Sequence, residues 1–324
     1  MKRQKQFFPQ LLTLLVALVC VVVLLPFVEA TLHAWPRSDD FYLTKNAIDK
    51  GTLAFTWDYY HVWSGRLAST FATSLIGMKV VPDISAYRLE VLAIILFFIY
   101  AMYFLFDKLF NGQSRSNGGL FGLILALSIL ANMDGLRDLF YWHTGIFHYT
   151  FALCLLLIAG GLWYSGKYLY WLPLLFAYIC LSFELLNVLA LLMITLRLGQ
   201  LYFNNAKIKA IEVIIIVVVL ACTAVVFLSP GARMRAEGVA NPHAGEIMFG
   251  IKHGTKLYFE GLNRWFNHWA GPSYLIFGIA AFSIGILSKK STVATPKILV
   301  LFVFMTAVLY PWLNCFVVAY GVGE

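Results

Sequence analysis

Two adjacent carboxylates, Asp39 and Asp40, have side chains suited to catalysis near a membrane. One carboxylate can act as a general base towards an acceptor hydroxyl, and the other can bind a divalent cation that holds a phosphate. We therefore take both as candidate catalytic residues, and either one as a candidate ligand of Mg²⁺ or Mn²⁺. A structural role competes with this interpretation, because Ser38 is a good N-cap and acids in a first helical turn interact favourably with the helix dipole.

Three arginines have the chemistry to hold a phosphate group, because a planar guanidinium can donate two parallel hydrogen bonds to its oxygens. Arg66 ends the segment 63–66 (WSGR), which begins with Trp63, and Arg233 and Arg235 follow the Pro-Gly turn at 230–231. Arginines near a membrane also snorkel towards lipid headgroups. The sequence leaves both interpretations open.

Polar and aromatic residues also gather at the ends of two predicted membrane spans. Trp142, His143 and Tyr149 lie in a segment that is equally typical of the aromatic belt at a membrane surface. Glu184 lies in a very short turn between two apolar runs, where a carboxylate is costly and usually has a partner. Asn187, one turn later, is a candidate neighbour of Glu184.

The elements that position these residues are apolar helices. Of the 324 residues, 61% are hydrophobic and only 12% are charged, and no stretch is long and polar enough for a separate soluble domain. The chain therefore reads as a single transmembrane domain over residues 1–324, an all-α polytopic bundle. About nine apolar runs approach the roughly 20 residues that cross a bilayer: 9–30, 86–106, 118–133, 146–164, 168–183, 186–203, 210–228, 272–288 and 297–316.

The charges predict which side of a cell membrane each loop occupies. With a cytoplasmic N-terminus, the short inner loops carry the excess of lysine and arginine that the positive-inside rule requires. The longer loops, approximately 31–85, 134–145 and 229–271, then lie outside with most of the acids, and all seven histidines fall on or near that side. We therefore expect the functional face to be extracytoplasmic. The basic residues form no single patch, so the net charge of +8 does not indicate nucleic-acid binding.

Aromatic stripes in the first and third of these loops predict amphipathic helices that lie in the membrane interface. The stripe in the first loop repeats every four residues: Phe55, Tyr59, Trp63, Leu67, Phe71 and Leu75. Such a helix would hold the two adjacent acids close to the membrane surface.

The sequence contains no P-loop, dinucleotide fingerprint or zinc-protease helix, so we expect no nucleotide or redox cofactor. It also shows no clear inverted repeat and no pair of broken helices, which makes the signature of a transporter weak.

The chain resembles the GT-C superfamily of membrane glycosyltransferases. It is most similar to an uncharacterised family of bacterial polytopic proteins related to the glucosyltransferases that decorate surface polysaccharides. The motifs that carry the resemblance occur in the same order along most of the chain: Ser38-Asp39-Asp40-Phe41-Tyr42, Trp63-Ser64-Gly65-Arg66, Trp142-x-x-Gly145-x-x-x-Tyr149, Glu184, and Pro230-Gly231 with Arg235.

The resemblance implies transfer of a sugar from a polyprenyl phosphate to a glycan or lipid acceptor of the cell envelope. Asp39 or Asp40 would be the base, and Arg66, Arg233 or Arg235 would bind the leaving phosphate, with or without a metal. Trp63, Trp142 and Tyr149 would stack on sugars, beside His143, and Glu184 would position the acceptor or orient an arginine. All these residues would then meet at one site. A flippase for a lipid-linked saccharide and a non-catalytic envelope scaffold are the alternatives.

Overall fold

The computed structural model describes residues 21–109, 117–132, 136–166, 170–203, 205–238 and 247–267, together with residue 18. Within these ranges the chain is helical and contains no β-strand. The helices are α1 (Val21–Leu32), α2 (Ser38–Lys50), α3 (Thr52–Val62), α4 (Leu67–Val80), α5 (Ile84–Leu109), α6 (Asn117–Asn132), α7 (Leu136–Phe140), α8 (His143–Gly145), a π-helix (Ile146–Thr150), α9 (Phe151–Tyr164), α10 (Leu172–Cys180), α11 (Glu184–Phe203), α12 (Ala210–Phe227), α13 (Pro230–Gly238) and α14 (Ile247–Asn267).

Four helical stretches in the described residues are long and apolar enough to cross a membrane: Ile84–Leu109, His143–Tyr164, Glu184–Tyr202 and Ala210–Met234. They coincide with four of the nine predicted spans, and the all-helical class is confirmed for the described residues. The predicted spans 9–30 and 118–133 overlap shorter apolar helices. Where 168–183 was predicted, α10 has nine residues, about 14 Å in length and too short to cross hydrocarbon. The runs 272–288 and 297–316 lie outside the described residues.

The apolar faces of these helices pack into two neighbouring cores. One core joins α5, α6 and the π-helix around Tyr87, Phe98 and Ile146. The other joins α9, α10, α11 and α12 around Trp163, Phe176 and Ile215. Because α9 contributes to both cores, it fixes the first half of the bundle against the second.

Helices α2, α3 and α4, which we call the cap, pack against one another at one end of the bundle. The predicted interfacial stripe is not one helix, because the chain breaks at residues 63–66 between α3 and α4. Phe55 is buried against Leu43 and Ala47 of α2 and so cannot face lipid. The buried face of α4 is polar: Ser69, Thr70, Thr73, Ser74 and Gly77. Packing within the cap therefore buries Phe55 and the polar face of α4.

A buried ion pair ties α11 to α12 near the far ends of these helices from the cap. Arg197 donates from Nε and Nη2 to Glu212 Oε1 at 3.0 and 2.8 Å, and Lys209 N–H donates to Glu212 Oε2 at 2.9 Å. The Arg197 and Glu212 side chains are 9% and 1% exposed. Such a pair holds two helices in register because neither charge can be left alone in the interior.

Glu212→Gln is expected to lower the thermal unfolding temperature in detergent, because it leaves the Arg197 guanidinium without its counter-charge. Removing one partner of a buried pair costs about 3–5 kcal/mol. Glu260→Gln is the matched control, since it breaks the exposed Lys256–Glu260 pair of α14, and such pairs contribute roughly 0–1 kcal/mol. Equal shifts in the two variants would contradict the structural role.

Candidate functional site

Asp40 is completely buried, and both of its carboxylate oxygens are occupied. Oδ1 accepts hydrogen bonds from the Thr144 backbone N–H at 2.9 Å and from the Thr144 hydroxyl at 2.7 Å. Oδ2 accepts from the Arg37 backbone N–H at 2.9 Å and from the Tyr87 hydroxyl at 3.3 Å. These four donors satisfy a charge that would otherwise be prohibitive in the interior.

The N-cap of α2 is Arg37 rather than Ser38, which is the first helical residue, so the predicted cap was wrong by one position. The arginine side chain has no acceptor atom, and the capping interaction comes instead from the Asp40 carboxylate three residues later. The bond from the Arg37 N–H to the buried Asp40 carboxylate places the N-cap one residue before Ser38.

Asp39, the neighbour of Asp40, has the opposite environment. Its side chain is exposed, and it hydrogen-bonds to nothing in the described part of the chain. Successive residues of a helix point about 100° apart, so the bonds that bury Asp40 turn Asp39 towards solvent. One predicted carboxylate therefore anchors the helix, and the other is available to a substrate.

His143 is completely buried beside Asp40. Its Nδ1 lies 2.8 Å from Glu90 Oε2, and its Nε2 lies 3.0 Å from the Thr73 carbonyl oxygen. Both ring nitrogens thus face acceptors, an arrangement that a doubly protonated imidazole satisfies. The backbone N–H of His143 also donates to the Tyr87 hydroxyl at 3.2 Å. We call Asp39, Asp40, Tyr87, Glu90, His143 and Thr144 the Asp40 cluster.

A second cluster forms where α4 begins. Arg66 Nε donates to both oxygens of Glu184, at 3.1 and 2.9 Å, so Glu184 has the partner that its position demanded. The guanidinium carbon lies 4.8 Å from the centre of the Phe183 ring and 5.8 Å from that of Tyr149. Burial lowers the pKa of Arg66, but the pull of Glu184 and Tyr149 is stronger and raises it above the ordinary value. We call these four residues the Arg66 cluster.

Backbone contacts fix Arg66 in place. Ala68 N–H donates to the Leu181 carbonyl at 3.0 Å, and the Ser69 hydroxyl donates to the Ser182 carbonyl at 2.8 Å. These hydrogen bonds therefore hold the start of α4 against the turn before Glu184. Asn187 serves that turn rather than Glu184, since its Nδ2 donates to the Cys180 carbonyl at 2.8 Å.

The Pro-Gly turn also comes to this region. A Cβ atom on Gly231 would lie 2.5 Å from Trp63 N and 2.6 Å from the Tyr60 carbonyl oxygen, and a Cβ on Gly65 would lie 2.5 Å from the Val226 carbonyl oxygen. Glycine is thus required at both positions for the end of α12 and the start of α13 to pack beside segment 63–66. The Trp63 side chain is itself 49% exposed.

The remaining predicted residues lie on α13 and next to the Asp40 cluster. Arg233 is exposed on α13, and Arg235 lies on the same helix with its side chain outside the described part of the structure. Trp142 is half-buried near the Asp40 cluster, where the Arg37 guanidinium lies 6.0 Å from its ring and donates to Asp138 at 2.7 Å.

The sequence predicted one site, whereas the structure gives two clusters, one at the start of α4 and one beside its second half. Thr73 and Gly77, which contact His143, lie seven and eleven residues beyond Arg66, about 10–16 Å along the helix axis. His148 lies between them on the π-helix, with Nδ1 2.8 Å from the Thr144 carbonyl oxygen and 3.5 Å from the Thr73 hydroxyl. π-Helical turns are frequent at functional sites.

Sequence reasoning missed Tyr87, Arg88, Glu90 and His148. The signal for Arg88 and Glu90 was present, because an ionisable residue inside an apolar run is a functional candidate by default. His148 carried the same signal, since it is a histidine inside the predicted span 146–164, whereas Tyr87 had none. Their importance arises from partners 47 and 75 residues away in the chain.

The described residues contain no group of three or more His, Cys, Asp or Glu side chains that could hold a metal ion. Asp40 fits the predicted metal role poorly, because its oxygens already accept four hydrogen bonds. We assign no catalytic step to a metal.

Comparisons of the chain with protein-family models, curated proteins and solved structures found no match.

Asp40→Asn is expected to destabilise the protein. The amide nitrogen of asparagine is a hydrogen-bond donor, and it would face N–H and O–H groups that donate to Asp40 in the wild type. Leaving buried donors unsatisfied costs about 1–3 kcal/mol each. Asp39→Asn is the matched control, since the exposed Asp39 has no described bond to lose. Thermal unfolding of the two variants in the same detergent tests the assignment, and an equal loss of stability would contradict it.

Proposed function

We propose that this protein is a membrane glycosyltransferase that moves a sugar from a polyprenyl phosphate to an envelope glycan on the extracytoplasmic side. The proposal is carried by the contrast between two adjacent acids. Asp39 is exposed and unbonded among the described residues, whereas Asp40 is locked by four hydrogen bonds. A free carboxylate on an immobilised helix start is the arrangement that a general base requires.

Asp39 would accept the proton of an acceptor hydroxyl as that oxygen attacks the anomeric carbon of the donor sugar. The bond between this carbon and the phosphate oxygen breaks, and the lipid phosphate leaves with the electron pair. Asp40, Thr144 and Tyr87 do not touch the reacting atoms in this scheme. They hold the helix start, and therefore Asp39, in one position.

The Arg66 cluster would bind the acceptor rather than the leaving phosphate. A base and a phosphate-binding group acting on the same bond must lie within a few ångströms of it. The positions of α4 that contact His143 of the Asp40 cluster, Thr73 and Gly77, lie seven and eleven residues beyond Arg66, about 10–16 Å along the helix axis. A charged guanidinium, a carboxylate and two aromatic rings suit sugar hydroxyls and pyranose faces. A short oligosaccharide could span the two clusters.

Asp39→Asn is expected to abolish sugar transfer while leaving the protein folded. Membranes containing each variant would be supplied with labelled polyprenyl-phosphate glucose and with envelope glycan extracted from a strain that lacks the gene. The product is labelled glycan, and Asp58→Asn, another exposed acid of the cap, is the control. Wild-type transfer with full activity of Asp39→Asn would rule out the base. Intact labelled lipid delivered across the membrane without transfer would instead indicate a flippase.

Arg66→Lys and Glu184→Gln are expected to raise the KM for the extracted glycan by about tenfold, because each removes charge-assisted hydrogen bonds that orient the cluster. The kcat at saturating glycan should change much less, since neither group touches the reacting bond in this scheme. A fall in kcat at unchanged KM in both variants would move the chemistry to the Arg66 end of α4.

A further inference from the structure

Arg88 is a charged residue near the start of α5 for which the described residues offer no anionic partner. Its guanidinium carbon lies 5.6 Å from the centre of the Trp35 ring, and this cation–π contact is its one described interaction. Its Nε is buried and, among the described residues, hydrogen-bonds to no acceptor. An arginine Nε that is hidden from water and unbonded is a donor still to be satisfied.

The nearest carboxylates along α5 and in the Asp40 cluster are already occupied. Asp83 Oδ1 accepts from the backbone N–H groups of Ser85 and Ala86, at 2.9 and 3.2 Å. Glu90 is bonded to His143, and Asp40 accepts four hydrogen bonds. Glu90 and Asp40 therefore cannot neutralise Arg88 without breaking another interaction, and no described contact joins Asp83 to Arg88.

The position of Arg88 indicates where an anion would come from. It is the fifth residue of Ile84–Leu109, a helix long and apolar enough to cross a membrane. Trp35, in the connection after α1, is 63% exposed and is a residue type that favours the headgroup layer. In a bilayer, a guanidinium near the end of such a helix would lie among lipid phosphates, and it can donate two parallel hydrogen bonds to a phosphate while one face rests on the indole.

We propose that Arg88 and Trp35 form a binding site for the phosphate group of a lipid in the adjacent leaflet. The lipid is the expected source, rather than free phosphate, because the acyl chains would continue along the apolar surface of α5 below the site. The site lies at the same end of α4 as Asp39, since the hydroxyl of the neighbouring Tyr87 bonds to Asp40. If the proposed transferase function holds, Arg88 would therefore meet the phosphate of the lipid-linked donor.

The test is a binding measurement on the full chain in nanodiscs, and it does not require transfer activity. The discs contain phosphatidylcholine with increasing phosphatidylglycerol or polyprenyl phosphate, and native mass spectrometry counts the lipids retained by the protein. Arg88→Gln is expected to weaken retention of the anionic lipid by about tenfold, because charge-assisted hydrogen bonds are lost. Arg137→Gln, which removes an exposed arginine of α7, should change retention little.

Arg88→Lys distinguishes the contribution of the guanidinium shape from that of the positive charge. It also provides the test if Arg88→Gln fails to fold. It keeps the positive charge but loses the planar guanidinium. Retention of the anionic lipid by this variant should therefore fall clearly below that of the wild type. Unchanged retention in Arg88→Gln or Arg88→Lys would overturn the proposal, as would equal losses in Arg137→Gln. Inorganic phosphate that competes as strongly as the lipid would overturn the lipid as the source. If the Arg88 variants lose lipid retention and the wild-type protein transfers no sugar, the lipid site stands and only the transferase function is rejected.

Discussion

The buried Asp40 carboxylate is the constraint on which the cap depends. Its four donors come from the connection before α2, from α5 and from α8, so one negative charge joins three separate parts of the chain. A buried charge tolerates little movement, because each lost hydrogen bond exposes part of its desolvation penalty. The start of α2 is therefore held where the bundle dictates, and the orientation of Asp39 follows from it.

Helix α4 links the Asp40 cluster to the Arg66 cluster across the cap. Its start is bonded to the turn before Glu184, and its last turns contact Thr44 and His143. The polar face between these ends lies against His148 rather than against lipid. Because a helix is a rigid spacer of about 1.5 Å per residue, α4 keeps the Arg66 and Asp40 clusters apart and related by a fixed distance.

The charged side chains of the described residues fall into two groups: those neutralised by a partner within the protein, and those without such a partner. Glu90 with His143, Arg66 with Glu184, and Arg197 with Glu212 each satisfy charges that burial would otherwise make unaffordable in free energy. Asp39 and Arg88 differ from these pairs, since no described acid or base neutralises either residue. Within the described chain, these two residues are the clearest candidates to meet something that the protein does not itself supply.

The sequence alone determined the helical class, four of the membrane-spanning stretches and most of the residues in the two clusters, because apolar run length and the cost of charge near hydrocarbon are local properties. It could not distinguish Asp39 from Asp40, since adjacent acids differ only in the direction that packing gives them. It also could not show that Arg66 bonds to Glu184, 118 residues away, or that α4 holds them apart from Asp40. Those facts depend on long-range contacts, which only the tertiary structure decides.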